Sequence, residues 1–121
     1  MGLDMYAVTV TQKPLMDVDF PVTECQQLHY WRKHPNLHGW MQRLYEAKGG
    51  QDEGFNCANL RLTAEDLDAL EAAIKAKALP DTRGFFFGAS DGSEREDDLA
   101  FIAKARGAIA AGSYVVYSAW W

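Results

Sequence analysis

Long apolar runs are missing from this chain. No stretch approaches the ~20 residues needed to span a bilayer, and no basic segment leads into an apolar one as in a secretory leader. No membrane association is expected, and the protein is assigned to the cytoplasm of a host cell. Cysteine is scarce. Cys25 and Cys57 are too few for a disulfide framework, so both thiols are expected free, as in a reducing compartment. Cationic excess is also missing. Twelve basic residues against 17 acidic ones leave a net charge of −5. A protein that binds nucleic acid directly needs a basic face to release counterions, so that class is excluded, while a partner that is itself basic remains open.

Catalytic and cofactor motifs are absent as well. There is no Cys-x-x-Cys or His-Glu-x-x-His, and neither a Walker-type nor a dinucleotide fingerprint. His34 and His38 stand four apart, as on one helix face, with His29 and Cys25 nearby, but no second clustered ligand pair accompanies them. Capping, core or surface roles are therefore expected for the histidines, with no metal and no cofactor. Cys25 and Cys57 fall in expected strands, where small thiols are more often structural than nucleophilic. No catalytic residue is assigned.

What the chain does contain is enough for one domain: 121 residues with 48% hydrophobic content and fifteen aromatics, four of them tryptophan. Residues 3–11 alternate, with Leu3, Met5 and Ala7 set against Tyr6, Val8 and Val10, which predicts a strand. Residues 24–31 are read as a second strand. His34-Pro35 opens a helix, because proline suits the first helical position. Leu37, Trp40, Met41, Leu44 and Tyr45 give that helix its apolar stripe, and Gly49-Gly50 ends it. Residues 55–62 predict a strand with Ala58, Leu60 and Leu62 on one face. Thr63 caps a helix carrying Leu67, Leu70 and Ile74. Phe85, Phe86 and Phe87, between Gly84 and Gly88, predict a short strand. Ser93 with Glu96 reads as a capping box ahead of a helix with Leu99, Ile102, Ala103 and Ile109 inward. Residues 113–121 predict a last strand, with Val115 and Tyr117 facing one way, Tyr114, Val116 and Ser118 the other, and Trp120 and Trp121 closing the edge of the core. The fold class is α+β: a single domain over 1–121, with three helices on one face of a mixed or mainly antiparallel sheet of about five strands.

Three segments in order, MGLDMY, YWRKHPNLHGWM and LPDTRGFFFGASD, resemble a family of small proteins of tailed bacteriophages and prophages. The resemblance implies a phage or prophage accessory protein but no chemistry. The chain departs from the family pattern after Phe-Phe-Phe-Gly, where GASDGSERED stands in place of aromatic residues.

The surface chemistry suggests where a partner would bind. Glu65, Asp66 and Asp68 open one helix, and Asp91, Glu94, Glu96, Asp97 and Asp98 open the next. Carboxylates belong in first helical turns for dipole reasons alone. Placed at one sheet edge, however, the two clusters would form a negative patch able to occupy a basic groove. The leading expectation is thus a non-enzymatic protein that binds a host protein or nucleoprotein complex, such as a host-defence assembly. In that reading exposed carboxylates of Asp91, Glu94, Asp97 and Asp98 imitate phosphate. The alternative is a small-ligand or nucleotide-binding protein, or small enzyme, with a pocket near Trp31, Arg32, His38, Arg83 and Phe86. A third reading is a homo-oligomer, such as a homodimer, joined through the aromatic C-terminus.

Overall fold

The computed structural model describes residues 3–80, 82 and 94–121. The expected strand at residues 83–88, the serine expected as a cap, Ser93, and the candidate residues Arg83, Phe86 and Asp91 lie outside them.

Alternation builds β1 (Asp4–Val10), whose residues Met5 and Ala7 turn, with the preceding Leu3, into the core. β2 (Gln26–Arg32) pairs antiparallel with it, directing His29 and Trp31 inward and Tyr30 and Arg32 outward. Helix α1 (Pro35–Ala47) starts on Pro35, as expected, and buries Leu37, Met41 and Tyr45. β3 (Leu60–Leu62) leads into α2 (Ala64–Lys75), where Thr63 and Asp66 form a reciprocal capping box. α3 (Arg95–Ala110) ends at Gly112, whose φ of +93° suits a residue without a Cβ. β4 (Tyr114–Trp120) closes the chain.

The sheet order is β2-β1-β4-β3, antiparallel throughout. This is a small α+β domain with four strands and three helices among the described residues. All three helices contribute to one core against the sheet face formed by Leu3, Met5, Ala7, Trp31, Val115, Tyr117 and Ala119. The other face carries a smaller cluster of Val10, Phe20 and Val116, with Val8, Val22 and Tyr114 packed on it. β4 therefore divides over Tyr114–Ser118 as its alternation predicted, but of the two tryptophans expected to close the edge of the core only Trp121 packs against it, and Trp120 is 55% exposed.

Two expectations need correction. The strand expected over 55–62 is confined to Leu60–Leu62, because Phe55 and Cys57 hold φ of +48° and +61°, outside extended backbone. The buried set of α3 is Asp98, Phe101, Ile102 and Ala105, whereas Ala103 is exposed and Leu99 and Ile109 are half-buried. Those buried positions run i, i+3, i+4, i+7, a regular helical stripe. Its first member is a carboxylate, which an apolar pattern does not detect.

Candidate functional site

Two histidine–aspartate couples hold the start of α3 against β2 and α1. Trp31 Nε1 donates to Asp98 Oδ1 at 3.0 Å, and His34 Nε2 meets Asp98 Oδ2 at 2.8 Å. All three residues are buried, Asp98 at 2% exposure. The carboxylate acts as acceptor on both oxygens, which assigns the His34 proton to Nε2. His34 also supplies the backbone N-cap of α1, but its side chain makes no capping bond there; it is directed to Asp98 instead. One residue earlier, Asp97 Oδ2 lies 3.0 Å from His29 Nε2, and His29 Nδ1 lies 3.1 Å from Lys104 Nζ. An ammonium only donates, so Nδ1 of His29 accepts and Nε2 carries the proton toward Asp97.

This arrangement revises the acidic-patch expectation. Asp98 is not an exposed carboxylate; it is an internal anchor. Asp97 remains exposed and Glu94 is half-buried, with Oε2 3.9 Å from His34 Nδ1. The two acidic helix starts do not share an edge. Arg106, late in α3, reaches Asp68 at 2.7 Å and Glu71 at 2.9 Å, in the first half and the middle of α2. At the opposite end, Ile74 and Leu79 line a cleft with His34, Glu94 and Asp98. α2 and α3 therefore run antiparallel, and their N-termini lie at opposite ends of the pair. Asp66 is further matched by Lys48. Asp66, Asp68, Glu94, Asp97 and Asp98 are thus distributed among local cations and histidines.

Of the residues expected to line a ligand pocket, Trp31, Arg32 and His38 are described. Trp31 and His38 are buried as core residues, with ring centroids 6.4 and 6.0 Å from that of Tyr117. His38 Nδ1 shares a 2.7 Å hydrogen bond with the Tyr117 hydroxyl, and its ring stacks on Phe55 at 5.0 Å. Burial pushes the His38 pKa from 6.5 down to about 4 and raises that of Tyr117. Arg32, by contrast, is exposed on the opposite sheet face. Among the described residues no group of three or more His, Cys, Asp or Glu is placed to hold a metal ion, and no helix is long and apolar enough to cross a membrane. Cys25 and Cys57 are exposed and lie outside the strands, contrary to the structural role expected of them.

The surface feature that sequence reasoning missed is an aromatic row on the sheet face away from the helices. Tyr6 of β1 stands directly opposite Tyr30 of β2, with centroids 5.1 Å apart and rings tilted by 50°. Trp120 of β4 meets Tyr6 on its other side at 6.1 Å, nearly perpendicular at 89°. Tyr30 is 41% and Trp120 55% exposed. Asp4 lies opposite both Arg32 and Trp120 in the strand registers. Its carboxylate accepts the Tyr30 hydroxyl at 2.6 Å and lies 3.8 Å from Arg32 Nε. Parity along each strand was available as a signal: Tyr6, Tyr30 and Trp120 all occupy outward positions of alternating segments. What sequence could not supply was the strand order that makes them neighbours.

Comparison of the chain with protein-family models, curated proteins and solved structures finds no match.

Proposed function

We propose that this protein is a non-enzymatic phage or prophage accessory protein that binds a host macromolecule, such as a host-defence complex. The phage origin rests on the motif resemblance. Binding is supported by one observation above the others, the exposed Tyr30–Tyr6–Trp120 row flanked by Arg32 and Asp4. Exposed aromatic side chains grouped with an arginine are the composition of protein-recognition surfaces, where they combine large contact area with little entropy loss. The net charge of −5 would speed encounter with a basic partner. Asp97 and Glu94 add negative charge near the α3 start, but Asp98 does not reach the surface.

The test is capture of partners from host lysate, with and without nuclease, by the native protein and two variants. Trp120→Ala with Tyr30→Ala should lose the partner and keep the melting temperature within a few degrees. Glu94→Lys with Glu96→Lys should change capture less. Full capture by the aromatic variant would sink this surface, and loss on the acidic variant alone would return the contact to the α3 start.

A further inference from the structure

We infer that the Tyr30–Tyr6–Trp120 row receives an arginine or lysine side chain from a basic segment of the partner, with Asp4 as the second anchor. The inference deepens the reading of the open sheet face as the binding surface. Four observations carry it.

Ring geometry comes first. Successive bases stack on sequence-tolerant aromatic platforms, which calls for rings laid roughly in one plane. Here Trp120 stands at 89° to Tyr6 and Tyr30 is tilted by 50°. Tyr6 is half-buried between two more exposed rings. A cation fits such a setting because every ring face it meets is the negative end of a quadrupole.

Electron density comes second. The Tyr30 hydroxyl donates to the Asp4 carboxylate at 2.6 Å, and that bond, ahead of burial, raises the Tyr30 pKa. A phenol donating to an anion gains electron density in its ring, which strengthens the attraction for a cation.

The carboxylate comes third. Asp4 is adjacent to Trp120 in the register and is held by Arg32 only at 3.8 Å, with the Arg32 side chain 57% exposed. An exposed pair of that kind is weak, so an incoming guanidinium can share or take the carboxylate in a charge-assisted bond.

The chain itself supplies the fourth. Arg61 places its guanidinium carbon 5.2 Å over the Tyr114 ring on this same sheet face. A neutral or acidic occupant would gain nothing from the net charge of −5, whereas a basic one is steered by it.

The experiment uses the full chain, a short arginine-rich peptide, and the same peptide with each arginine replaced by citrulline, which keeps shape and removes charge. Affinity is measured by isothermal titration calorimetry, and in the native protein the nuclear magnetic resonance shift of the Trp120 indole N–H places the contact. The arginine peptide should move that signal saturably, with affinity falling as salt rises. Trp120→Ala should weaken the affinity by roughly five-fold or more, and Tyr30→Phe, which keeps the ring but removes the bond to Asp4, by a smaller factor. Equal affinity for the citrulline peptide, or an unchanged affinity in Trp120→Ala, overturns the inference. So does a Trp120 shift produced by a neutral oligosaccharide, or by raising protein concentration alone. If the aromatic variants lose the lysate partner while the native protein ignores the arginine peptide, the face stands as a binding surface and its assignment to a basic segment is refuted.

Discussion

Trp31 and Asp98 stand 67 residues apart in sequence and meet through a 3.0 Å hydrogen bond inside the protein. His34 completes the group from the other carboxylate oxygen at 2.8 Å. β2, the start of α1 and the start of α3 are thereby joined at one buried carboxylate. The bond also separates two roles that look alike in sequence: within a single acidic run, Asp97 is a surface residue and Asp98 a structural one.

Asp98→Ala should cost about 3–5 kcal/mol, because it leaves the Trp31 N–H and the His34 ring buried without their acceptor. Asp98→Asn keeps an oxygen for Trp31 but presents N–H groups to His34, which must then change tautomer, and should cost less. Urea unfolding reads both. A loss under about 1 kcal/mol for Asp98→Ala would show that the buried group contributes little.

His38 makes stability depend on pH. Its folded pKa is about 4 against an ordinary 6.5. The unfolded chain therefore binds the proton more readily than the folded one. Stability from this group is complete above pH 6.5 and declines as pH falls toward 4, by about 3 kcal/mol in all. His38→Asn should be less stable at neutral pH through lost packing, yet its stability should fall less between pH 6.5 and 4. Parallel pH profiles of unfolding free energy for the two proteins would rule this out.

Gly39 lets the chain at Thr82 lie against α1. A Cβ at position 39 would stand 1.8 Å from Thr82 Oγ1 and 2.9 Å from its Cβ. Gly39→Ala, helpful in an unobstructed helix, should here destabilise by about 1–3 kcal/mol. Adding Thr82→Ala should recover part of that loss by removing the nearest atom. Purely additive effects in the double-mutant cycle would mean that the two positions do not press on each other.

Removing residues 114–121 should abolish cooperative folding. β4 is an interior strand bonded to β1 on one side and β3 on the other. Its Val115, Tyr117 and Ala119 belong to the main core and its Val116 to the smaller cluster. A truncated chain that still melts in one sharp transition near the native temperature would contradict this.

Local rules were enough for much of the architecture. Period-two alternation located β1 and β4 and divided their faces, proline marked the start of α1, and Thr63 with Asp66 marked that of α2. Such signals depend on residues two to four positions apart, which the sequence lists side by side. They failed at Phe55 and Cys57, where left-handed backbone replaces a strand, and at α3, where the inward stripe begins on a carboxylate.

The sequence by itself therefore determined most of the elements, the alternating faces of β1 and the body of β4, and the acidic balance. Tertiary structure alone decided which carboxylate is internal and which aromatics form a surface. A charged group is buried only if partners satisfy it, and those of Asp98 come from β2 and from the cap of α1, more than sixty positions away. Likewise Tyr6, Tyr30 and Trp120 become one surface only because β1 lies between β2 and β4. Strand order depends on the whole core closing, and no local window of residues contains it.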